Sequence, residues 1–223
     1  MPTYTDGYGG DVNTAKDTLI QSQSPTTNYG KTSPLYIGDI GAAPPNISRG
    51  LFQFDLSGLP AGATLTAATL TLYCESEADT SDRVFGVHRG LVEWYEGIGN
   101  AELPTGENAS TYNYRNANGS VAWAGGAGGA AGTEFVATPT DTVTVTDPAT
   151  AYGWDVLADC QAFYAGTYTN YGWWLICADE GTMNCRKRFT SSDGATTGNR
   201  PRLVITYTLG GGSGKPAYAY AQQ

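Results

Sequence analysis

Histidine is almost missing from this chain: His88 is the single one in 223 residues. A metal centre built on several imidazoles is therefore excluded, and no Cys-x-x-Cys pair is present to hold zinc instead. There is no Ser in a Gly-x-Ser-x-Gly turn, no His-Glu-x-x-His, and no glycine loop of the phosphate-cradling type. Positive charge is scarce too. Twelve Lys and Arg against 21 Asp and Glu leave a net charge of −9, the wrong sign for a duplex nucleic-acid partner, which requires a basic stripe. Charged residues of both signs reach only 15%, so the polar surface has to come from Thr, Ser, Asn, Gln and Tyr. Long apolar runs are absent as well. The longest, Trp173 to Ala178, is far too short to cross a bilayer, and no membrane partner is expected. Met1 to Asp6 show neither the basic segment nor the apolar core of a secretory leader, which sets the expectation of a chain made in the cytoplasm or of an isolated module.

What is abundant is turn chemistry. Thirty glycines and eleven prolines form about 18% of the chain, too many for a helical bundle, while 40% hydrophobic content is too much for a disordered one. Apolar residues alternate with period two between Gly, Pro, Asn and Asp, the pattern of half-buried strands. It predicts strands at Asp17–Gln21, Leu35–Gly38, Gly50–Leu56, Ala63–Cys74, Arg83–Arg89, Thr142–Thr146, Tyr171–Ala178, Asn184–Phe189 and Leu203–Thr208. Leu65 falls out of phase with Leu70 and Leu72, so a bulge is expected near Ala67-Ala68. Only Asp155–Tyr164 reads as a helix, with Asp155 as its cap and Val156, Leu157, Cys160, Phe163 and Tyr164 as its apolar stripe. Residues 97–140 form a long Gly/Asn/Ala-rich excursion, of the kind that is usually functional or mobile. The expected fold is all-β: an antiparallel two-sheet β-sandwich, a jelly roll, with one short helix. It divides into an N-terminal arm (1–14), the sandwich (15–209), and a Gly-rich linker with an extended C-terminal tail (210–223).

Four cysteines allow three pairings. Cys177 and Cys185 are symmetric about Gly181, and a hairpin tip at Glu180-Gly181 would set them across two strands as a candidate disulfide. Cys74 and Cys160 read as core thiols.

Several stretches resemble the DNRLRE-type domain family, and they occur in the family's order. They are Asp17-Thr18 with Pro25-Thr26-Thr27-Asn28-Tyr29-Gly30 and Leu35-Tyr36-Ile37-Gly38, then Phe52-Gln53-Phe54-Asp55-Leu56-Ser57-Gly58-Leu59-Pro60-Ala61-Gly62-Ala63 and Ala68-Thr69-Leu70-Thr71-Leu72-Tyr73. Trp94-Tyr95-Glu96-Gly97, Trp154-Asp155-Val156, Asn170-Tyr171-Gly172 and Arg200-Pro201-Arg202-Leu203-Val204-Ile205-Thr206-Tyr207 follow. Phe189-Thr190-Ser191-Ser192-Asp193 is a looser match to the family's acidic ending, and the Gly/Ala-rich loop around 124–132 is peculiar to this chain. The resemblance implies a jelly roll used as a non-catalytic module. Relatives occur beside polysaccharide-degrading domains, in carbohydrate-binding modules, in bacterial surface proteins and in phage particles.

Candidate sites follow from residue type. Trp94, Tyr95, Tyr112, Tyr114 and Trp123 gather around the long excursion as candidate ligand-binding residues, since aromatic faces stack on sugar rings; core closure by Trp94 competes with that role. Glu93 and Glu96 are a poor glycosidase pair, because three-residue spacing on a strand end sends them to opposite faces, and no catalytic residue is expected. No cofactor is expected either, although Asp6-Gly7-Tyr8-Gly9-Gly10-Asp11 is compatible with a structural calcium ion. Tyr218 and Tyr220 share one face of the tail and suit strand addition to a partner's sheet edge. The leading expectation is a structural component of a phage virion surface, a capsid decoration or fibre-type protein whose partners are other virion subunits or copies of itself. The alternative is a secreted, extracellular carbohydrate-binding module that targets a polysaccharide. A third reading, an adhesive cell-surface domain, requires a larger anchored parent.

Overall fold

A computed structural model describes residues 1–7, 15–41, 44–77, 81–146, 148–181 and 184–209. Its strands are β1 (Thr3–Gly7), β2 (Lys16–Gln21), β3 (Leu35–Asp39), β4 (Ile47–Gln53), β5 (Ala63–Glu77), β6 (Arg83–Arg89), β7 (Tyr114–Asn116), β8 (Val121–Ala122), β9 (Asp141–Val145) and β10 (Thr150–Asp155). Helix α1 (Leu157–Tyr164) and strands β11 (Trp173–Cys177), β12 (Lys187–Phe189) and β13 (Arg202–Leu209) complete them. The chain is an all-β antiparallel sandwich with one helix. Sheet A joins β1, β13, β5, β10, β12 and the first half of β3. Sheet B joins β2, β4, β11, β6 and β9.

Strand β3 belongs to both layers. Leu35–Ile37 pair with β12, whereas Gly38 and Asp39 pair with β4. The corner is made at Gly38, whose φ of +113° disfavours any other residue and whose absent Cβ would stand 2.7 Å from the Cys185 carbonyl oxygen.

Period-two alternation builds the core. On β5, Leu70, Leu72 and Cys74 point inward and are fully buried, while Thr69 is exposed. Thr66 and Ala67 both face outward, and the β13 register skips from Ala67 to Leu65. This bulge returns Leu65 to the core, as the phase of the sequence predicts. Phe85 of sheet B meets Phe189 of sheet A edge-on, with ring centres 5.4 Å apart. Two of the buried indoles have their N–H groups satisfied: Trp154 donates to the Phe85 carbonyl at 2.9 Å and Trp173 to Asp159 Oδ2 at 2.8 Å, whereas the Trp174 N–H has no partner among the described residues.

Three features depart from the expected organisation. Thr3–Gly7, within the stretch expected as an arm, runs along β13 as an edge strand of sheet A. Residues 150–155 form β10 beside β5, although Thr-Ala-Tyr-Gly-Trp-Asp alternates too weakly to read as a strand. Helix α1 starts two residues later than its predicted cap. Asp155 Oδ1 still accepts the Leu157 N–H at 2.9 Å, but Val156 occupies the N-cap position. The tail with Tyr218 and Tyr220 lies outside the described residues, as do 8–11 of the Asp6–Asp11 stretch.

The excursion is the largest departure. It folds back as a third layer on the outer face of sheet B, where Ile20, Leu51, Trp174 and Ile176 meet Trp94, Trp123 and Phe135 in a second apolar cluster. β11 is therefore covered on both faces, which explains why Trp-Trp-Leu-Ile-Cys is continuously apolar rather than alternating. Close approach of backbone makes this possible: Gly129, at φ +74°, leaves no room for a Cβ, which would stand 2.7 Å from the Trp174 ring. Arg49 fastens the layer by donating to the Gly128 and Gly129 carbonyls at 2.9 and 2.8 Å while pairing with Glu180. The buried Glu134 carboxylate accepts the N–H groups of Gly125 and Ala130 at 2.8 and 2.7 Å.

Candidate functional site

At one end of sheet B, β2 begins, β4 ends and β11 begins, and three neighbouring depressions there share lining residues. Lys16, Gln53 and Asn170 are common to the first two, and Asp55 and Asn170 to the last two; together they are called the groove. The first, of about 350 Å³, is lined by Lys16, Gln53, Glu93, Tyr95, Asn108 and Tyr171 among others. The second, of about 360 Å³, continues over Lys16, Gln53, Asp55 and Asn170. The third runs from Asp55 and Asn170 to Gly62 and Tyr164. Each is of the size that small-molecule sites take.

The two Asn-Tyr-Gly motifs share one local hydrogen bond, although Gly172 alone of their two glycines has a positive φ, +69°. Asn170 Oδ1 accepts the Gly172 N–H at 3.0 Å, and Asn28 Oδ1 accepts the Gly30 N–H at 3.2 Å. The first leaves Tyr171 half-buried at the groove, whereas the second buries Tyr29. Tyr95 also lines the groove and is half-buried, its hydroxyl donating to Glu93 Oε2 at 2.6 Å. That bond holds the Tyr95 hydroxyl proton and raises its pKa. Trp94 forms the floor and donates its indole N–H to the Tyr171 carbonyl at 2.9 Å. Gln53 is placed by donation to the Asn170 carbonyl at 2.8 Å, and Lys16 is exposed at the rim. Half-buried phenol rings edged by amides and one ammonium suit a flat, hydroxyl-rich ligand.

Beneath the groove lies a carboxyl cluster that gathers distant parts of the chain. Glu96 Oε1 accepts the Asp17 N–H at 3.0 Å, and Asp17 Oδ2 accepts the Ser192 N–H at 2.6 Å. Burial pushes Asp17 up to about 8, against the lowering effect of the Ser192 bond, and Glu96 and Asp193 add repulsion. Burial also raises Glu96. Lys31 pairs with Asp193 at 3.5 Å at the outer side. Asp17 Oδ1 is buried with no hydrogen-bond partner. Among the described residues, no group of three acidic, cysteine or histidine side chains is placed to hold a metal ion. Asp6, from the stretch considered for calcium, is buried and accepts the Asp55 N–H at 2.6 Å.

The sequence-predicted aromatics separate into two groups. Trp94 and Tyr95 reach the groove, Trp94 as its buried floor. Trp123 is buried under the excursion, donating to the Thr111 carbonyl at 2.9 Å and meeting Trp174 edge-on at 5.2 Å. Tyr112 packs against the same cluster, and Tyr114 is half-buried on β7. Lys16, Gln53, Asn170 and Tyr171 were not singled out by residue type. Gln53, Asn170 and Tyr171 lie in stretches that carry the family resemblance, and the recurrence of Asn-Tyr-Gly is a second signal for the last two. Cys177 and Cys185 do not flank a hairpin, since β11 lies in sheet B and β12 in sheet A.

Four of the residues lining the groove, Lys16, Gln53, Glu93 and Tyr95, lie within one continuous stretch of the chain. Residues 10–98 match carbohydrate-binding module family 96. The match covers about two-fifths of the chain and takes in β2 to β6 with the Trp94-Tyr95-Glu96 corner. It makes this half of the sandwich similar to a carbohydrate-binding module, a class of non-catalytic domain. Asn108 and Asn170-Tyr171, which also line the groove, lie outside the matched stretch. No curated protein matches the chain.

Proposed function

We propose that this protein is a non-catalytic carbohydrate-binding module that acts on the outside of the cell and holds a polysaccharide chain in the groove between Tyr95 and Tyr171. The family match carries the reading, because the residues it covers supply Lys16, Gln53 and Tyr95. The two phenol rings act as stacking platforms, and Gln53, Asn108 and Lys16 meet hydroxyl groups. The glycan is bound rather than cleaved: Glu93 is engaged by Tyr95, and Glu96 by the Asp17 backbone. The virion-surface reading finds no support in the match, and the tail that motivated it lies outside the described residues.

Affinity electrophoresis against a panel of neutral and acidic polysaccharides tests the proposal. At least one polysaccharide retards the wild type, and Tyr95→Ala or Tyr171→Ala each weakens retention roughly tenfold, the equivalent of about 1.4 kcal/mol. No retardation by any polysaccharide, together with ordered particles or fibres in electron microscopy, would overturn it in favour of the virion reading.

A further inference from the structure

The crossing from β11 to β12 takes the chain from sheet B to sheet A, and a cysteine stands at each end of it. Cys177 is the last residue of β11, and Cys185 precedes β12 by two residues. Both are fully buried. Both belong to the same core cluster, where the two thiols interact with each other, and Cys185 Sγ also accepts the Asp39 N–H of β3 at 3.3 Å. Cys160 sits on α1 and Cys74 near the C-terminal end of β5. The four are free thiols in this structure.

We propose that Cys177 and Cys185 form a disulfide that ties sheet B to sheet A beneath the crossing. The bond forms by exchange with a small-molecule or protein disulfide while the sheets close. One cysteine thiolate attacks a sulfur of that disulfide and expels one thiolate; the second cysteine then attacks the mixed disulfide and expels the other. Two protein thiols are oxidised, the external disulfide is reduced to two thiols, and both cysteine protons end on them. The environment proposed for this module is one in which disulfides persist.

The tie also reaches the excursion. Glu180 lies inside the closed loop and pairs with Arg49, which holds the Gly128 and Gly129 carbonyls. A tie at the base of this ion pair therefore steadies the layer that covers Trp174. The interaction between the thiols holds Cys177 protonated and lowers Cys185, so Cys185 is the member that ionises first.

The test begins with protein refolded in glutathione disulfide, then unfolded in guanidinium and alkylated with iodoacetamide. Two of the four cysteines resist alkylation until reductant is added, and peptide mass spectrometry finds Cys177 joined to Cys185. Reductant lowers the melting temperature of the oxidised protein by roughly 5–10 °C, as expected for a short closed loop in a domain of this size. Cys177→Ser and Cys185→Ser start from the lower value and do not respond to reductant. Alkylation of all four cysteines after the glutathione disulfide treatment would overturn the proposal, as would a linked peptide containing Cys74 or Cys160.

Discussion

Asp17 and Ser192 lie 175 residues apart in the chain and meet at 2.6 Å, the serine backbone N–H donating to the aspartate Oδ2. This bond closes the edge of the sandwich at β2, directly under the groove. It is made by a carboxyl group that burial holds at a pKa of about 8 rather than the ordinary 3.8.

The first prediction concerns pH. A carboxyl whose folded pKa is raised binds its proton more tightly in the native state, so its contribution to stability is complete below about pH 4. It is lost as the pH rises toward about 8. Glu96 and Asp193 face it with like charge, and Lys16 and Lys31 offset them from the rim. Asp17→Asn keeps an acceptor for the Ser192 N–H and removes the ionisation. Urea unfolding at about pH 5 and pH 8 gives a flatter stability profile for the variant, by more than the roughly 1.4 kcal/mol that one pKa unit represents. Equal losses in both proteins would show that Asp17 does not titrate in this window.

A second prediction concerns Arg49. Its guanidinium is largely enclosed and serves Glu180 and two backbone carbonyls at once. Arg49→Ala leaves an unpaired carboxylate and two unpaired carbonyls in a half-dry site, at a cost of about 3–5 kcal/mol. Limited proteolysis detects the consequence as new cleavage within 125–132, ahead of cleavage in the sheets. Unchanged resistance there would mean that the excursion is held by its aromatic contacts alone.

A third separates packing from binding among the aromatics. Trp123→Ala removes a buried ring from the Trp174 cluster and lowers stability by about 3–5 kcal/mol. Retention on the polysaccharide that retards the wild type, normalised to folded protein, stays the same. Loss of retention with unchanged melting would move the binding surface from the groove to the excursion.

Much of the sandwich is legible from alternation. Leu70, Leu72 and Cys74 announce β5, and the phase slip at Leu65 announces its bulge. Short or weakly alternating strands are not legible, since β1 and β10 form only because β13 and β5 offer unpaired edges. The site is less legible than the fold. Tyr95 and Trp94 are visible as aromatics next to acids, but nothing local marks Lys16, and Gln53 is marked only by lying in a stretch of family resemblance. They become neighbours of Tyr171 only through the pairing of β2 with β4 and of β4 with β11.

The near-absence of histidine and the scarcity of positive charge determine by composition alone an acidic chain with no imidazole-built metal centre. Such limits hold in any conformation, because they depend only on which side chains are present. Tertiary structure decided the rest. It turned a glycine-rich excursion into a layer over Trp174, buried Trp123, and brought Asp17, Glu96 and Ser192 together. Contacts across 79 and 175 residues depend on sheet pairing and on the exclusion of water from apolar faces, which no local pattern encodes.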